Sequence, residues 1–331
     1  MKYAIIVLIL SLLFFEGCQK PSGKHILDIR IRDPFILVDS NAGTYYMYAS
    51  IKTDSITRGV GVYKSTDLEY WQGPSTVFET PDTFWAQENI WAPEVHLYKG
   101  KYYLFTTFTA RENWPTPEGR RQMKPRGSQI LVSDSPEGPF VPFENKAHTP
   151  SDWMALDGTL WVENDTPYMI FCHEWVQIID GTMELVELST DLSHPVDTPI
   201  TLFNATDAPW VKSLKEVGGQ WHGYITDGAF IYRSKTGKLL MIWSSFGVDK
   251  YAVGIAQSET GSIKGPWKQL EPIISNNGGH GMIFKDLKGR LILTIHQPNS
   301  ETERARFYEI EDMGETLKLK TGIPIFMEEN R

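Results

Sequence analysis

Residues 32–50 read RDPFILVDSNAGTYYMYAS and residues 59–71 read GVGVYKSTDLEYW. A polar or acidic residue opens an alternating apolar run, a turn of Asp, Asn and Gly follows, a second run is rich in aromatics, and a third leads into a polar loop. Period-two alternation bounded by such turns is the pattern of short antiparallel strands. The same grammar returns in APEVHLYKGKYYLFTTFTA (92–110) with SQILVSDSPEGPF (128–140), and in LDGTLWVENDTPYMIFCHEW (156–175). It returns again in TDGAFIYRSKTGKLLMIWSSF (226–246) and GGHGMIFKDLKGRLILTIHQP (278–298). The units begin near Asp33, Pro93, Asp157, Asp227 and Gly279, roughly 50 to 70 residues apart, a spacing that suits four-stranded blades with loop insertions. The chain is therefore expected to be all-β, a five-bladed β-propeller occupying residues 23–331 as one domain. Ile26–Ile31, left over before the first unit, is expected to pair with the last blade and close the ring, since closure removes exposed strand edges. The insertion at 111–126, with Pro115, Pro117 and Pro125, is expected to form a rim loop.

Composition narrows the function. The chain has 331 residues, Lys+Arg 32 against Asp+Glu 41 and a net charge of −9. Without clustered cations it has no means of gripping a phosphate backbone, which excludes nucleic acid as partner. Two cysteines give no disulfide framework. Lys2 precedes an apolar run from Tyr3 to Phe15, shorter than the ~20 residues that span a bilayer, and residues 1–22 read as an export signal. Gly17-Cys18 followed by polar residues is similar to a lipoprotein cleavage site, which would acylate Cys18. Plain secretion and an uncleaved anchor are the alternatives. The expected location is outside the cytoplasm, in the periplasm or anchored to an outer membrane, with a lipid as the sole membrane contact and a monomer as the expected state. Cys172 is then an unpaired core thiol.

In a propeller the first strand of each blade lines the axis, so Asp33, Glu94, Asp157, Asp227 and His280 are expected to converge. Carboxylates at close range raise one another's pKa. Turn capping explains each acid singly but not their recurrence at unit starts. Opposed carboxyls of this kind can protonate a leaving oxygen and activate water, the two tasks of glycoside hydrolysis. Phe35, Trp91, Trp153, Trp175 and Trp243 could stack on sugar rings, and Glu94 and Arg304 complete the expected sugar-binding set.

RDPF (32–35), WAPEV (91–95), LDGTLW (156–161), TDGAF (226–230) and GGHGM (278–282) together resemble glycoside hydrolase family 43, over essentially the whole chain after residue 22. The resemblance implies an inverting hydrolase of α-L-arabinofuranosides, β-D-xylosides or related polysaccharide side chains. It implies Asp33 as general base and Asp157 as the carboxylate that orients and tunes the acid. It implies no required cofactor, with an axial calcium ion near His280 as the one ion suggested. Family members commonly carry Glu-Gly-Pro or Glu-Ala-Pro where this chain has Asp227-Gly228-Ala229, a proton donor shorter by one methylene. Glu174, in FCHEW, is the other candidate donor. The rival readings are a propeller that has lost its acid and only binds glycans, and a fructan-active hydrolase, which the absence of an NDPNG-like motif disfavours.

Overall fold

The computed structural model describes residues 22–52 and 58–327, and all but the last residue of the expected signal sequence, Cys18 included, lies outside them. Within these residues 21 strands form five sheets. The first blade contains β2 (Phe35–Asp39), β3 (Thr44–Lys52), β4 (Arg58–Ser65) and β5 (Tyr70–Glu79), with the short β1 (Lys24–His25) added outside β5. The second contains β6 (Asn89–Tyr98), β7 (Lys101–Thr109), β8 (Arg126–Ser133) and β9 (Val141–Pro142). The third contains β10 (Ala155–Glu163), β11 (Thr166–His173), β12 (Thr182–Glu187) and β13 (Ile200–Asn204). The fourth contains β14 (Asp227–Arg233), β15 (Leu239–Phe246), β16 (Tyr251–Ser258) and β17 (Trp267–Ile274). The last contains β18 (Gly279–Lys285), β19 (Leu291–Gln297), β20 (Arg304–Asp312) and β21 (Leu317–Leu319). Every neighbouring pair is antiparallel, and β2, β6, β10, β14 and β18 adjoin one another around the axis. This is the expected five-bladed propeller.

Ring closure differs from expectation. Ile26–Asp28 is a 3-10 turn, and only Arg30 bridges the last blade, opposite Arg304. The reason is that the last blade already holds four strands of its own and needs none from the amino terminus. Lys24 and His25 instead pair with Trp71 and Tyr70 and cover the outer edge of the first blade. Arg304 donates from Nε to the Leu27 carbonyl at 2.9 Å and from Nη1 to the carbonyls of Thr302 and Glu303, so it ties the two ends of the ring together, and it is not among the residues that line the axial cavity.

The head of each inner strand breaks its ladder in the same way. Pairing jumps from Trp91 to Glu94, from Leu156 to Thr159, from Asp227 to Phe230 and from Gly279 to Met282. The residue after each jump begins has positive φ: Ala92 (44°), Asp157 (57°), Gly228 (51°) and His280 (50°), and Asp33 (50°) matches them in the first blade. Bulges re-aim side chains where they interrupt pairing, and a left-handed non-glycine residue costs about 1–2 kcal/mol. This register corrects the alignment of the five unit starts. Asp33, Asp157 and His280 are true equivalents, Asp227 stands one residue earlier, and Glu94 stands two residues after its left-handed Ala92.

That offset turns Glu94 towards His96 and out of the cavity lining. It is 6% exposed and 3.0 Å from His96 Nε2. Phe35, equivalent to Glu94, packs with its ring centroid 5.0 Å from His96 and 6.5 Å from Phe230. Trp243 is wholly buried between the third and fourth blades, against Phe203 and Trp210, with Nε1 donating to Gln269 at 3.1 Å. Phe35, Glu94 and Trp243 are thus buried, and none of them lines the axial cavity. Cys172 is free and buried, as expected. Trp243→Ala should lower stability by about 3–5 kcal/mol, the usual cost of deleting a buried aromatic. Denaturant unfolding should show a lower midpoint with an unchanged slope.

Candidate active site

The five strand heads surround a cavity of about 780 Å³. Asp33, Asp157, Asp227 and His280 line it at the axis, with Trp91, Glu174 and Trp175 on one wall and Arg30, Arg32 and Asn299 on another.

Asp33 is surrounded by nitrogen groups of His296, His280 and Arg32. Its Oδ1 lies 3.0 Å from His296 Nδ1 and 3.3 Å from His280 Nδ1, and Arg32 Nε is 3.9 Å from Oδ2. Burial alone would raise its pKa, but the charge of His280, the His296 hydrogen bond and Arg32 together hold the carboxyl well below the usual range. The surrounding contacts are themselves fixed. Asn299 Oδ1 accepts from Arg32 Nη1 at 3.0 Å and lies 3.3 Å from His296 Nε2. The His280 amide donates to Ser244 Oγ at 2.8 Å.

Asp157 owes its position to the neighbouring blade. Its amide donates to Thr107 Oγ1 at 2.8 Å, and the next amide, of Gly158, donates to Ser128 Oγ at 3.0 Å. The carboxyl accepts from the Gly228 amide at 3.1 Å and lies 3.7 Å from His280 Nδ1. Burial and the nearby charge of Asp33 push its pKa well up. Asp227 Oδ2 accepts a 2.7 Å hydrogen bond from Tyr251, and the Asp227 pKa rises to about 7, chiefly through burial and then through the carboxylate of Asp157. The site thus separates its acids: Asp33 is held ionised, while Asp227 keeps its proton to near neutrality.

Glu174 follows β11, immediately before the single helical turn α1 (Trp175–Ile178). Its Oε2 is paired with Arg126 Nη1, and both side chains are more than nine-tenths buried. Arg126 also donates from Nε to Thr109 Oγ1 at 2.9 Å and lies 4.2 Å above the centroid of the Trp91 ring. The Glu174 oxygen that meets the guanidinium acts as an acceptor. Trp153 stacks on His173 at 4.1 Å and stands outside the cavity lining.

A directly bound calcium ion needs six to eight oxygen ligands. Among the described residues no group of three or more His, Cys, Asp or Glu side chains is arranged to hold a metal. His280 Nδ1 faces the carboxyls of Asp33 and Asp157, at 3.3 and 3.7 Å.

Sequence reasoning missed Tyr251, His296, Arg32 and Arg126. The available signal was register: His296 on β19 lies directly opposite Gly279, at the height of the site. Tyr251 opens β16 opposite Phe246, which also lines the cavity.

Comparison with known proteins agrees with this architecture. A solved structure described as an endo-arabinase from Bacteroides thetaiotaomicron VPI-5482 is 43% identical, with a TM-score of 0.78, over 88% of this chain and 98% of that one. Extracellular endo-alpha-(1->5)-L-arabinanase 1 of Bacillus subtilis (strain 168) is 30% identical over 81 residues, 23% of this chain and 24% of its own length. Xylosidase/arabinosidase 43A of Humicola insolens is 32% identical over 100 residues, 30% of this chain and 26% of its own length. The chain therefore matches about a quarter of the length of these two curated relatives. The family described as Glycosyl hydrolases family 43 matches residues 23–318, and the chain belongs to that family.

Proposed function

We propose that the chain is an exported glycosidase that cleaves α-1,5-linked L-arabinan internally and with inversion. The observation that carries this reading is the placing of two carboxyls in unlike surroundings on one cavity, Asp33 against His280, His296 and Arg32 and Asp227 against Tyr251, which lowers the pKa of the first and raises that of the second. The choice of polymer rests on the 43% identity to the endo-arabinase. Export rests on the apolar run 3–15 behind Lys2.

Water held at Asp33 attacks the anomeric carbon while Asp227 transfers its proton to the departing oxygen. Water supplies the new hydroxyl, its second proton passes to Asp33, and Asp227 is left as the carboxylate. The low basicity of Asp33 is tolerable because bond cleavage runs ahead of attack in an oxocarbenium-like transition state, where the incoming water is acidic. Burial keeps the Asp227 pKa high, and Asp157 accepts the hydrogen bond of the Gly228 amide, the residue next to Asp227. Trp91 offers a stacking face, and the Glu174 oxygen not committed to Arg126 accepts sugar hydroxyls.

Asp33→Asn should reduce turnover by about 100-fold or more with little change in fold, since the amide cannot take the proton. Proton magnetic resonance of the first product from the wild type should show the inverted anomer, and retention would refute attack by water. Asp227→Asn should abolish hydrolysis of arabino-oligosaccharides yet spare much of the activity on nitrophenyl arabinosides, whose leaving group needs little protonation. In the wild type, rate should fall as pH rises through about 7, where Asp227 loses its proton. It should persist below the ordinary carboxylate range until the fold fails, because Asp33 stays ionised there. Glu174→Gln should raise KM several-fold and leave kcat nearly unchanged, the signature of a binding contact. A collapse of kcat confined to poor leaving groups would make Glu174 the donor instead.

A further inference from the structure

The Asp227 side chain is one methylene shorter than the glutamate common at this place, and a misplacement of about 1 Å can cost on the order of 100-fold in rate. The structure holds it in place from the side. The Tyr251 hydroxyl donates to Asp227 Oδ2 at 2.7 Å, while Oδ1 has no protein partner among the described residues. The Tyr251 ring is 1% exposed and stacks on His296, with centroids 5.7 Å apart and planes inclined by 18°. Gly279 supplies the space: a Cβ there would lie 2.1 Å from Tyr251 Cε1. Tyr251 is thus wedged between the fourth and fifth blades, bonded to Asp227 and packed on the ring that contacts Asp33.

We infer that Tyr251 is the positioning residue of the proton donor: its hydroxyl occupies Asp227 Oδ2 and so places the transferable proton on Oδ1, the oxygen left for the substrate. This rests on the reading of Asp227 as donor. During transfer the Oδ1–H bond breaks as the bond to the leaving oxygen forms, and Tyr251 keeps its own proton while stabilising the new charge at Oδ2. Burial and the Asp227 carboxylate push the tyrosine pKa well up, which keeps it a donor. Besides Tyr251, the titratable and charged groups coupled to Asp227 include Asp157, His280, Asp33, Arg32 and Cys172. Removing the hydroxyl leaves these in place and takes away a bond that favours the ionised carboxyl, so the Asp227 pKa must rise.

The test compares wild type, Tyr251→Phe and Asp227→Asn on arabino-oligosaccharides and on nitrophenyl arabinosides. A titration of 13C-aspartate-labelled protein by magnetic resonance accompanies it and needs no substrate. Tyr251→Phe should lose about 10- to 100-fold on the oligosaccharides, the worth of a hydrogen bond to a charged group, and less than about 3-fold on the activated glycosides. The carboxyl signal that titrates near 7 and is absent in Asp227→Asn should move to higher pH. Replacing Tyr251 with a fluorinated tyrosine, a stronger donor of the same shape, should move that signal to lower pH even if the phenylalanine variant folds poorly. Equal losses on both substrates, or an unmoved signal in both variants, would overturn the inference. Full activity of Asp227→Asn on oligosaccharides would instead remove the donor reading on which it rests.

Discussion

One imidazole ring sets the electrostatics of the site. His280 Nδ1 stands 3.3 Å from an oxygen of Asp33 and 3.7 Å from one of Asp157, so a single side chain of the fifth blade faces carboxylates of the first and third across the axis. Three buried acids could not share this volume as equals, because each ionisation raises the cost of the next. With His280 and His296 both turned to Asp33, the negative charge settles there and the other two acids are driven towards their neutral forms. Acid and base are thus assigned by their surroundings and not by residue type.

The contact depends on a backbone that most sequences avoid. Asp33, Asp157 and His280 all sit in left-handed conformations, each at the head of an inner strand. Hydroxyls of the adjoining blades receive the amides of Asp157 and His280, from Thr107 and Ser244 respectively. Gly228 closes the arrangement, since a Cβ there would lie 2.8 Å from the His280 ring. Strain of this kind survives only where neighbours determine it from several sides, and it gathers at functional sites.

The blades were legible in sequence because alternation and turn residues report local structure, and each blade is built from contiguous chain. The roles of Asp33, Asp157 and Asp227 were expected from their motifs, and their place on the cavity follows. Glu94 turns to His96 and away from the cavity because a bulge separates it from Trp91, and nothing in WAPEV marks where the ladder breaks. The carbonyl partners of Arg304 belong to the joint between first and last blades, which no single repeat displays. Tyr251, His296 and Arg126 act through strands two and three of their blades, so cross-strand register alone brings them to the axis. The shorter acid at 227 was visible in the sequence, and the tyrosine bonded to it was not.

The central claim is that one cavity holds an ionised Asp33 beside a protonated Asp227. Neutron diffraction from deuterated crystals near pH 6 would read both states directly. The account predicts a bare Asp33 carboxylate, a deuteron on Asp227 Oδ1, and the Tyr251 deuteron directed at Asp227 Oδ2. A deuteron on Asp33 together with a bare Asp227 would contradict it.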